Sequence, residues 1–525
     1  MGPRKNLYLL VLFLAAAHLL YAPAWQAGWT RDVTGWLQSL HTKTFGDYLL
    51  RRGLRVESLY PFTQWMLWVW WKLFGVHPLP WHLLMVSLHA VCAWGWAGFY
   101  SRVLGSKISG NFAGLFFLFS PYATEVVVWE AGYHYLQGMV LLLATLFALL
   151  HYLTSGKKRW IFVGLIAFLP TLFALETFYL APIYAALLLL YFWKNARTKK
   201  AVGSFVVPML ALCAVQYGLF RWLYTEPVPH IKTLTWLRLG DYLRKPAKYF
   251  FNLFLFGRYW PQNLRAILYD VLNSWAFLGG FYASLITLIF RKRKALKSFQ
   301  KHPVFIPATF AIAALLLVVP LYFQENGLVD FDRYTYFMLP AVGAIFGHYF
   351  RKKWLRAGIL ALSAGLLFYT NLLWQKSAAL SREVLLKIPN FKDSKPTLLL
   401  NIPDALRGLP MIGYAPEGEA ALLRRYVLEK PFSGIVLEAG ACQISSPKDL
   451  LVETAWRTPQ ALEIKQLNGD GWWADGIPAP DFENNLFSVR FSHPNRSYVL
   501  TLKKPAADFH VLQWNGVQWA VIKKP

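Results

Sequence analysis

Long apolar runs alternate with short, acid-free bursts of Lys and Arg along the first 375 residues, and that alternation constrains this 525-residue chain more than any other feature. The bursts are Arg4 with Lys5, Arg102 with Lys107, Lys157 to Arg159, Lys194 to Lys200, Arg291 to Lys301, and Arg351 to Arg356. They hold 21 of the 54 Lys and Arg and not one Asp or Glu. A membrane span needs about 20 mostly apolar residues, and Lys and Arg in short connections mark the cytoplasmic side. Charged residues make up 15% of the chain and aromatics 17%. A soluble globular chain carries about 25% charged residues, and disordered basic segments are poor in aromatics. The net charge of +27 would suit nucleic acid, but outside the bursts 33 basic residues stand against 27 acidic ones, so the excess reports orientation and no nucleic-acid partner is expected. Cys92, Cys213 and Cys442 show neither metal spacing nor a disulfide framework.

Eleven apolar stretches qualify as spans, at residues 7–25, 81–100, 108–122, 134–153, 160–175, 178–193, 201–224, 271–290, 304–323, 336–350 and 355–374. With the amino terminus cytoplasmic, every basic burst falls inside and the tail from Lys376 outside. A stretch at 62–74 with four tryptophans would invert that order if it crossed, so it reads as a helix at the outer interface. The first span starts like a signal peptide, but Ala22-Pro23-Ala24-Trp25 is a poor cleavage site, so it is expected to be retained. The outer connections are 26–60, 122–133, 225–270 and 324–334. From about Ser394 the character changes: 397–401, 488–491, 497–502 and 509–514 read as strands with polar turns. The expected fold is an all-α polytopic membrane protein of about eleven helices, residues 1–375, followed by a small α+β soluble domain, residues 394–525.

Acidic residues near a membrane are costly and usually functional, and all twelve that precede the tail fall at the outer face. Asp32 follows the first span. Glu125 lies in Pro121-Tyr-Ala-Thr-Glu-Val-Val-Val-Trp-Glu130, and Glu176 separates spans five and six. Asp330 and Asp332 precede Arg333, Tyr334 and Tyr336. Glu176 could equally form a structural ion pair with Arg55 or Arg333, Glu130 and Asp47 read as solvated charges, and His134 opens a helix.

The ordered set of motifs resembles a family. Asp32 after the first span, Leu59-Tyr-Pro-Phe62 leading to Leu73-Phe-Gly75, Trp81-His82 with Ser87-Leu-His89, and Phe119-Ser-Pro121 with Thr124-Glu-Val-Val-Val-Trp129 are similar to the integral-membrane glycosyltransferases of the GT-C fold. Within these the chain most resembles the protein O-mannosyltransferase-like branch that includes the transmembrane and tetratricopeptide-repeat mannosyltransferases, and more distantly the lipid A aminoarabinose transferases. Glu176-Thr177 before Pro182, and Asp332-Arg-Tyr-Thr-Tyr336 before Pro340, fit the same branch. The resemblance covers residues 1–375 and implies transfer of a sugar from a polyprenyl-phosphate carrier at the outer leaflet. It makes Asp32 the acid that deprotonates or orients the acceptor hydroxyl, and it places Glu125 and His134 where relatives hold a second acidic or metal-coordinating group. The chain departs from the pattern with Asp32-Val33 in place of paired acids, Gly132-Tyr133-His134-Tyr135 in place of Gly-Arg and an acid, and Leu175 in place of Lys. Participation of a divalent cation stays open, and no tetratricopeptide period appears in the tail.

Attack of a hydroxyl or amine on an anomeric carbon needs a base, and a carboxylate suits. The departing phosphate needs cations. Arg238, Arg244, Lys245, Lys248, Arg258 and Arg265 supply them in the 225–270 segment, interleaved with aromatics that suit a headgroup. Generic attraction to anionic lipid heads explains the same loop. Arg333 is the best single phosphate clamp, because its planar fork grips two oxygens, and Tyr334 stands beside it. The candidate site is therefore Asp32 and Glu125 as catalytic acids, with Arg55, His134, Glu176, Arg244, Lys248, Arg258, Arg333 and Tyr334 binding substrate. The donor would be a polyprenyl-phosphate sugar, the acceptor a protein, lipid or glycan. A polyprenyl-diphosphate glycan ligase or polymerase, or a lipid or solute transporter, are the alternatives. A bacterial inner membrane is the expected location, with a periplasmic tail. The tail tryptophans, Trp456, Trp472, Trp473, Trp514 and Trp519, are read as core.

Overall fold

In a computed structural model, the described residues are 3–30, 33–49, 61–223, 239–291, 302–318, 332–413, 418–467, 472–473, 481–492 and 496–523. Where they are described, the eleven apolar stretches fall mostly on helix, with breaks such as those at Ser120 and Ser274. The helices are α1 (Pro3–Tyr21), α2 (Thr34–Thr42), α3 (Phe45–Leu49), α4 (Pro61–Phe74), α5 (Pro78–Val103), α6 (Lys107–Phe119), α7 (Thr124–Val128), α8 (Tyr133–Ser155), α9 (Arg159–Leu172) and α10 (Leu180–Tyr191). They continue with α11 (Ala196–Ala201), α12 (Val207–Leu223), α13 (Leu239–Leu255), α14 (Gln262–Asn273), α15 (Trp275–Arg291), α16 (Phe305–Val318), α17 (Leu339–Tyr349) and α18 (Lys353–Leu386). Five described helices are long and apolar enough to cross a membrane, and a sixth crossing forms if α6 and the bent segment after it count as one. α9, α10 and α16 are apolar but shorter.

Close packing of small residues holds the centre. Gly110 and Gly114 of α6 lie one turn apart against α5, and Gly343 and Gly347 of α17 lie one turn apart against α6. A Cβ on Gly114 would sit 2.5 Å from the Ala93 carbonyl, and one on Gly347 would sit 2.8 Å from that of Ser109. Backbones that approach this closely gain dispersion contact that lipid cannot supply, which is why small residues four apart mark helix contacts in membranes. Ser109 Oγ donates to the Gly347 carbonyl at 2.9 Å and ties the pair.

Among the described residues, several basic bursts lie at neighbouring helix ends. Arg197 donates to the carbonyls of Leu153 and Thr154, capping α8 beside Lys157. Arg356 donates to the Gly347 carbonyl, next to the α6 start that follows Lys107. The opposite end carries α2, the α6–α8 connection and the carboxy-terminal strands.

Those strands form three small sheets. β1 (Thr397–Leu399) lies parallel to both β4 (Val436–Glu438) and β12 (His510–Trp514), with β13 (Trp519–Val521) on the edge. β2 (Ile402–Leu406), β3 (Leu409–Pro410), β5 (Ala441–Ile444) and β8 (Trp472–Trp473) make the second sheet. The third is antiparallel, formed by β6 (Val452–Thr458), β7 (Ala461–Gln466), β11 (Ser497–Leu502), β10 (Phe487–Ser492) and β9 (Phe482–Glu483). Trp473, Trp514 and Trp519 are buried, as core aromatics are. Burial holds the Cys442 thiol well above the usual range, and none of the three cysteines is paired. A short helix, α19 (Glu419–Tyr426), carries the contact to the membrane region.

Candidate active site

The site is built on a break in the α6 helix. Pro121 has no N–H to continue the helix and forces Ser120 into extended backbone (φ −67°, ψ 123°). The chain bends by 55° there, makes a 3₁₀ turn, then α7, then a second 3₁₀ turn at Glu130–Gly132 before α8. Residues 122 to 133 were expected to form a short outer loop, but every one of them is buried. The bend folds the segment back into the bundle because its Val126-Val-Val-Trp129 run is too apolar to remain at the surface.

Glu125 and Arg333, read from the sequence as a catalytic acid and a phosphate clamp, are partners. The Arg333 backbone N–H donates to Glu125 Oε2 at 2.9 Å, and its guanidinium Nη1 pairs with Oε1. The carboxylate is 8% exposed and the guanidinium 18%. The guanidinium lies 5.0 Å from the centroids of Trp129 and Tyr334, so two ring faces and one carboxylate fix its plane. The 3₁₀ turn Asp332–Thr335 that presents Arg333 is itself anchored by Tyr336, whose hydroxyl meets His89 Nδ1 at 3.0 Å.

The other sequence-named residues arrange around this pair. His134 is half-buried, its ring 4.8 Å from that of Tyr135 and 6.4 Å from that of Trp36 on α2. The Tyr135 hydroxyl lies within electrostatic reach of Tyr334, Arg333, Glu125 and Glu176. Glu176 is exposed at the start of the 3₁₀ turn before α10. Arg244, Lys248 and Asn252 fall on one face of α13, at i, i+4 and i+8. Lys248 is buried, and Arg244 is half-buried with its guanidinium 5.2 Å from the Trp275 ring. Arg258 is buried as well, and donates from Nη2 to the Arg407 carbonyl at 3.2 Å, while its backbone N–H meets Asn252 Oδ1. Tyr122 donates to the Asn252 carbonyl, bringing α13 against the bend. Burial pushes the neighbouring Tyr259 phenol up to about 12, so it stays protonated in its hydrogen bond with Thr370. Asp32 and Arg55 lie outside the described residues. Asp32 is two positions before α2, and α2 is held at this end by Trp36 and by Thr34, whose hydroxyl donates to Glu419 Oε1 at 3.0 Å.

One buried pair escaped the sequence reading. Glu130, expected as a solvated charge, is 2% exposed, because the bend that buries Val126–Trp129 carries it inward. Neither of its carboxylate oxygens has a hydrogen-bond partner among the described residues. His82 Nε2 lies 3.7 Å from Oε1, and that nitrogen lies 2.7 Å from the Ala27 carbonyl. The signal available was a lone Glu between Val-Val-Val-Trp and Ala-Gly-Tyr. Asp47 is half-buried and accepts from the Thr44 N–H and hydroxyl at 2.8 Å. No three His, Cys, Asp or Glu converge on a metal-binding position among the described residues.

No family model matches the chain, and no curated protein does. Among solved structures the chain is similar to that of ArnT from Cupriavidus metallidurans bound to undecaprenyl phosphate. The likeness has 13% identity and a TM-score of 0.43, and covers 85% of this chain and 96% of that one. So loose an agreement decides nothing about chemistry, and the functional reading rests on the residues described above.

Proposed function

We propose that this protein is an integral-membrane glycosyltransferase of the GT-C type that moves a sugar from a polyprenyl-phosphate donor to an acceptor at the end of the bundle opposite the basic bursts. The observation that carries the reading is the Glu125–Arg333 pair. A guanidinium is presented at a broken membrane helix, sandwiched by Trp129 and Tyr334, at the end where the chain leaves Asp32. A charge that is costly in such surroundings is retained where it meets an anion.

Transfer would run as an inverting displacement. Asp32 takes the proton of the acceptor hydroxyl as its oxygen attacks the anomeric carbon. The bond from that carbon to the phosphate oxygen breaks on the opposite face, and the electron pair leaves with the polyprenyl phosphate. Arg333 meets the growing phosphate charge, with Arg244, Lys248 and Arg258 raising the local positive potential. Glu125 acts as a positioning residue, because both of its oxygens are engaged by Arg333. A carboxylate so held fixes the guanidinium plane in place of accepting a substrate proton. The aromatic faces exclude water from the leaving group, where each electrostatic contact then counts for more.

The test is donor turnover by the purified protein in lipid nanodiscs. Wild type is expected to release polyprenyl phosphate from a polyprenyl-phosphate sugar and to leave a polyprenyl-diphosphate glycan untouched. Asp32→Asn should lose about 10²-fold or more in rate with protein level unchanged. Turnover of the diphosphate donor alone would replace this reading with a glycan ligase or polymerase.

A further inference from the structure

A second feature lies away from the candidate site. An apolar groove of about 480 Å³ runs along α10 and the start of α12, with Pro182 near one end and Trp193 at the other. Its wall on the α12 side is a π-turn, Val202–Val206. One extra residue in the turn widens the helix there, and such turns recur at functional positions. α10 has 12 residues, about 18 Å of rise, against a hydrocarbon core of about 30 Å. The groove lies open beside this short helix, with Ile183, Leu190 and Leu210 exposed along its length.

The two ends of the groove differ in charge. Past Trp193 come Lys194, Lys199 and Lys200, all exposed, and Lys199 and Lys200 directly precede the π-turn that forms the wall. At the other end the nearest charged side chain in sequence is Glu176, six positions before Pro182. An apolar slot with cations at one mouth and a carboxylate toward the other is complementary to one amphiphile orientation, with an anionic headgroup at the lysines and an acyl chain in the slot. Trp193 stands where a tryptophan belongs at a headgroup boundary. The volume lies in the ordinary range for ligand pockets.

We propose that this groove binds an anionic phospholipid drawn from the leaflet on the basic side, with its phosphate on Lys199 and Lys200 and one acyl chain between α10 and the π-turn. The occupant is a membrane phospholipid and not the sugar donor, whose phosphate belongs at Arg333 on the opposite end.

The experiment uses the full chain in nanodiscs with phosphatidylglycerol or phosphatidylcholine carrying a photoreactive acyl chain, followed by mapping of the labelled peptides. Phosphatidylglycerol should label residues 182–210 several-fold more than phosphatidylcholine. Lys199→Gln with Lys200→Gln should lower the phosphatidylglycerol labelling to the phosphatidylcholine level and leave the phosphatidylcholine labelling as it is. Ala186→Trp, which fills the slot without touching charge, should abolish both. Equal labelling by the two lipids would reduce the groove to ordinary lipid contact and overturn the proposal. So would displacement of the label by polyprenyl phosphate more readily than by unlabelled phosphatidylglycerol, which would assign the slot to the donor's tail. Sugar transfer is expected to persist in the lysine variant, so failure here is separable from failure of the transferase reading.

Discussion

Glu125 and Arg333 stand 208 positions apart and meet through two contacts, one from the backbone and one from the side chain. Each residue was visible in the sequence as a charge at the outer face, but the pairing was not, because it depends on the bend at Pro121 folding α7 against the Asp332–Thr335 turn. The same bend buries Glu130, and here the two acids part company. Glu125 is satisfied, whereas Glu130 has only His82 at 3.7 Å. A buried carboxylate without hydrogen bonds destabilises by the cost of its desolvation. Glu130→Gln is therefore expected to keep or raise the melting temperature of the detergent-solubilised protein, with Glu130→Lys lowering expression. A clear drop for Glu130→Gln would mean the carboxylate has a partner in the working protein.

At the scale of elements, the apolar stretches were legible because helix in a bilayer needs only length and hydrophobicity. Their interruptions were partly legible too, since Pro121 and Pro340 are helix-start signals. The packing was not read, although the signal was present: Gly110 with Gly114, and Gly343 with Gly347, are small residues four apart. Gly347→Leu should separate α17 from α6, because even its Cβ would come within 2.8 Å of the Ser109 carbonyl. The expected loss is about 2–3 kcal/mol by analogy with overpacked cores, read as a lowered melting temperature. Gly358→Leu, at a helix position where a Cβ meets nothing within 4 Å, is the control that should leave it unchanged. In the tail, strands at 397–399, 487–492, 497–502 and 510–514 follow the alternation seen in the sequence. The parallel pairing of β1 with β4 and β12 does not, because register between distant strands is set by tertiary packing.

Across the whole molecule, the carboxy-terminal sheets dock on the end that holds the candidate site. Thr34 reaches Glu419, the rings of His41 and Tyr426 lie 4.6 Å apart, and Arg407 accepts from Arg258 through its carbonyl and donates to Tyr369. The tail thus touches the helix that follows Asp32 and the segment that carries the cations. Where the tail leaves α18, His510 hydrogen-bonds Asp393 at 2.8 Å and holds its carboxyl below the usual range. A carboxyl depressed in the folded state adds stability above its unfolded value, near pH 4, and that stability is lost as pH falls through the folded value. The melting temperature should fall on acidification below about pH 4, and His510→Ala should flatten that dependence. An unchanged slope in the variant would remove the pair from the account.

The acid-free bursts were readable from the sequence as marks of one face, and Arg197 and Arg356 tie the turns they lie in to neighbouring helix ends. What the sequence could not supply was the assembly of one arginine, one glutamate and two aromatic rings from two segments some 200 positions apart. That assembly is the central claim, and donor turnover by Arg333→Lys tests it most directly. Lys keeps the charge but loses the planar fork that Trp129, Tyr334 and Glu125 hold. The rate of polyprenyl-phosphate release should fall by about 10²-fold, with the protein still folded by its melting temperature. A rate equal to wild type would contradict the account.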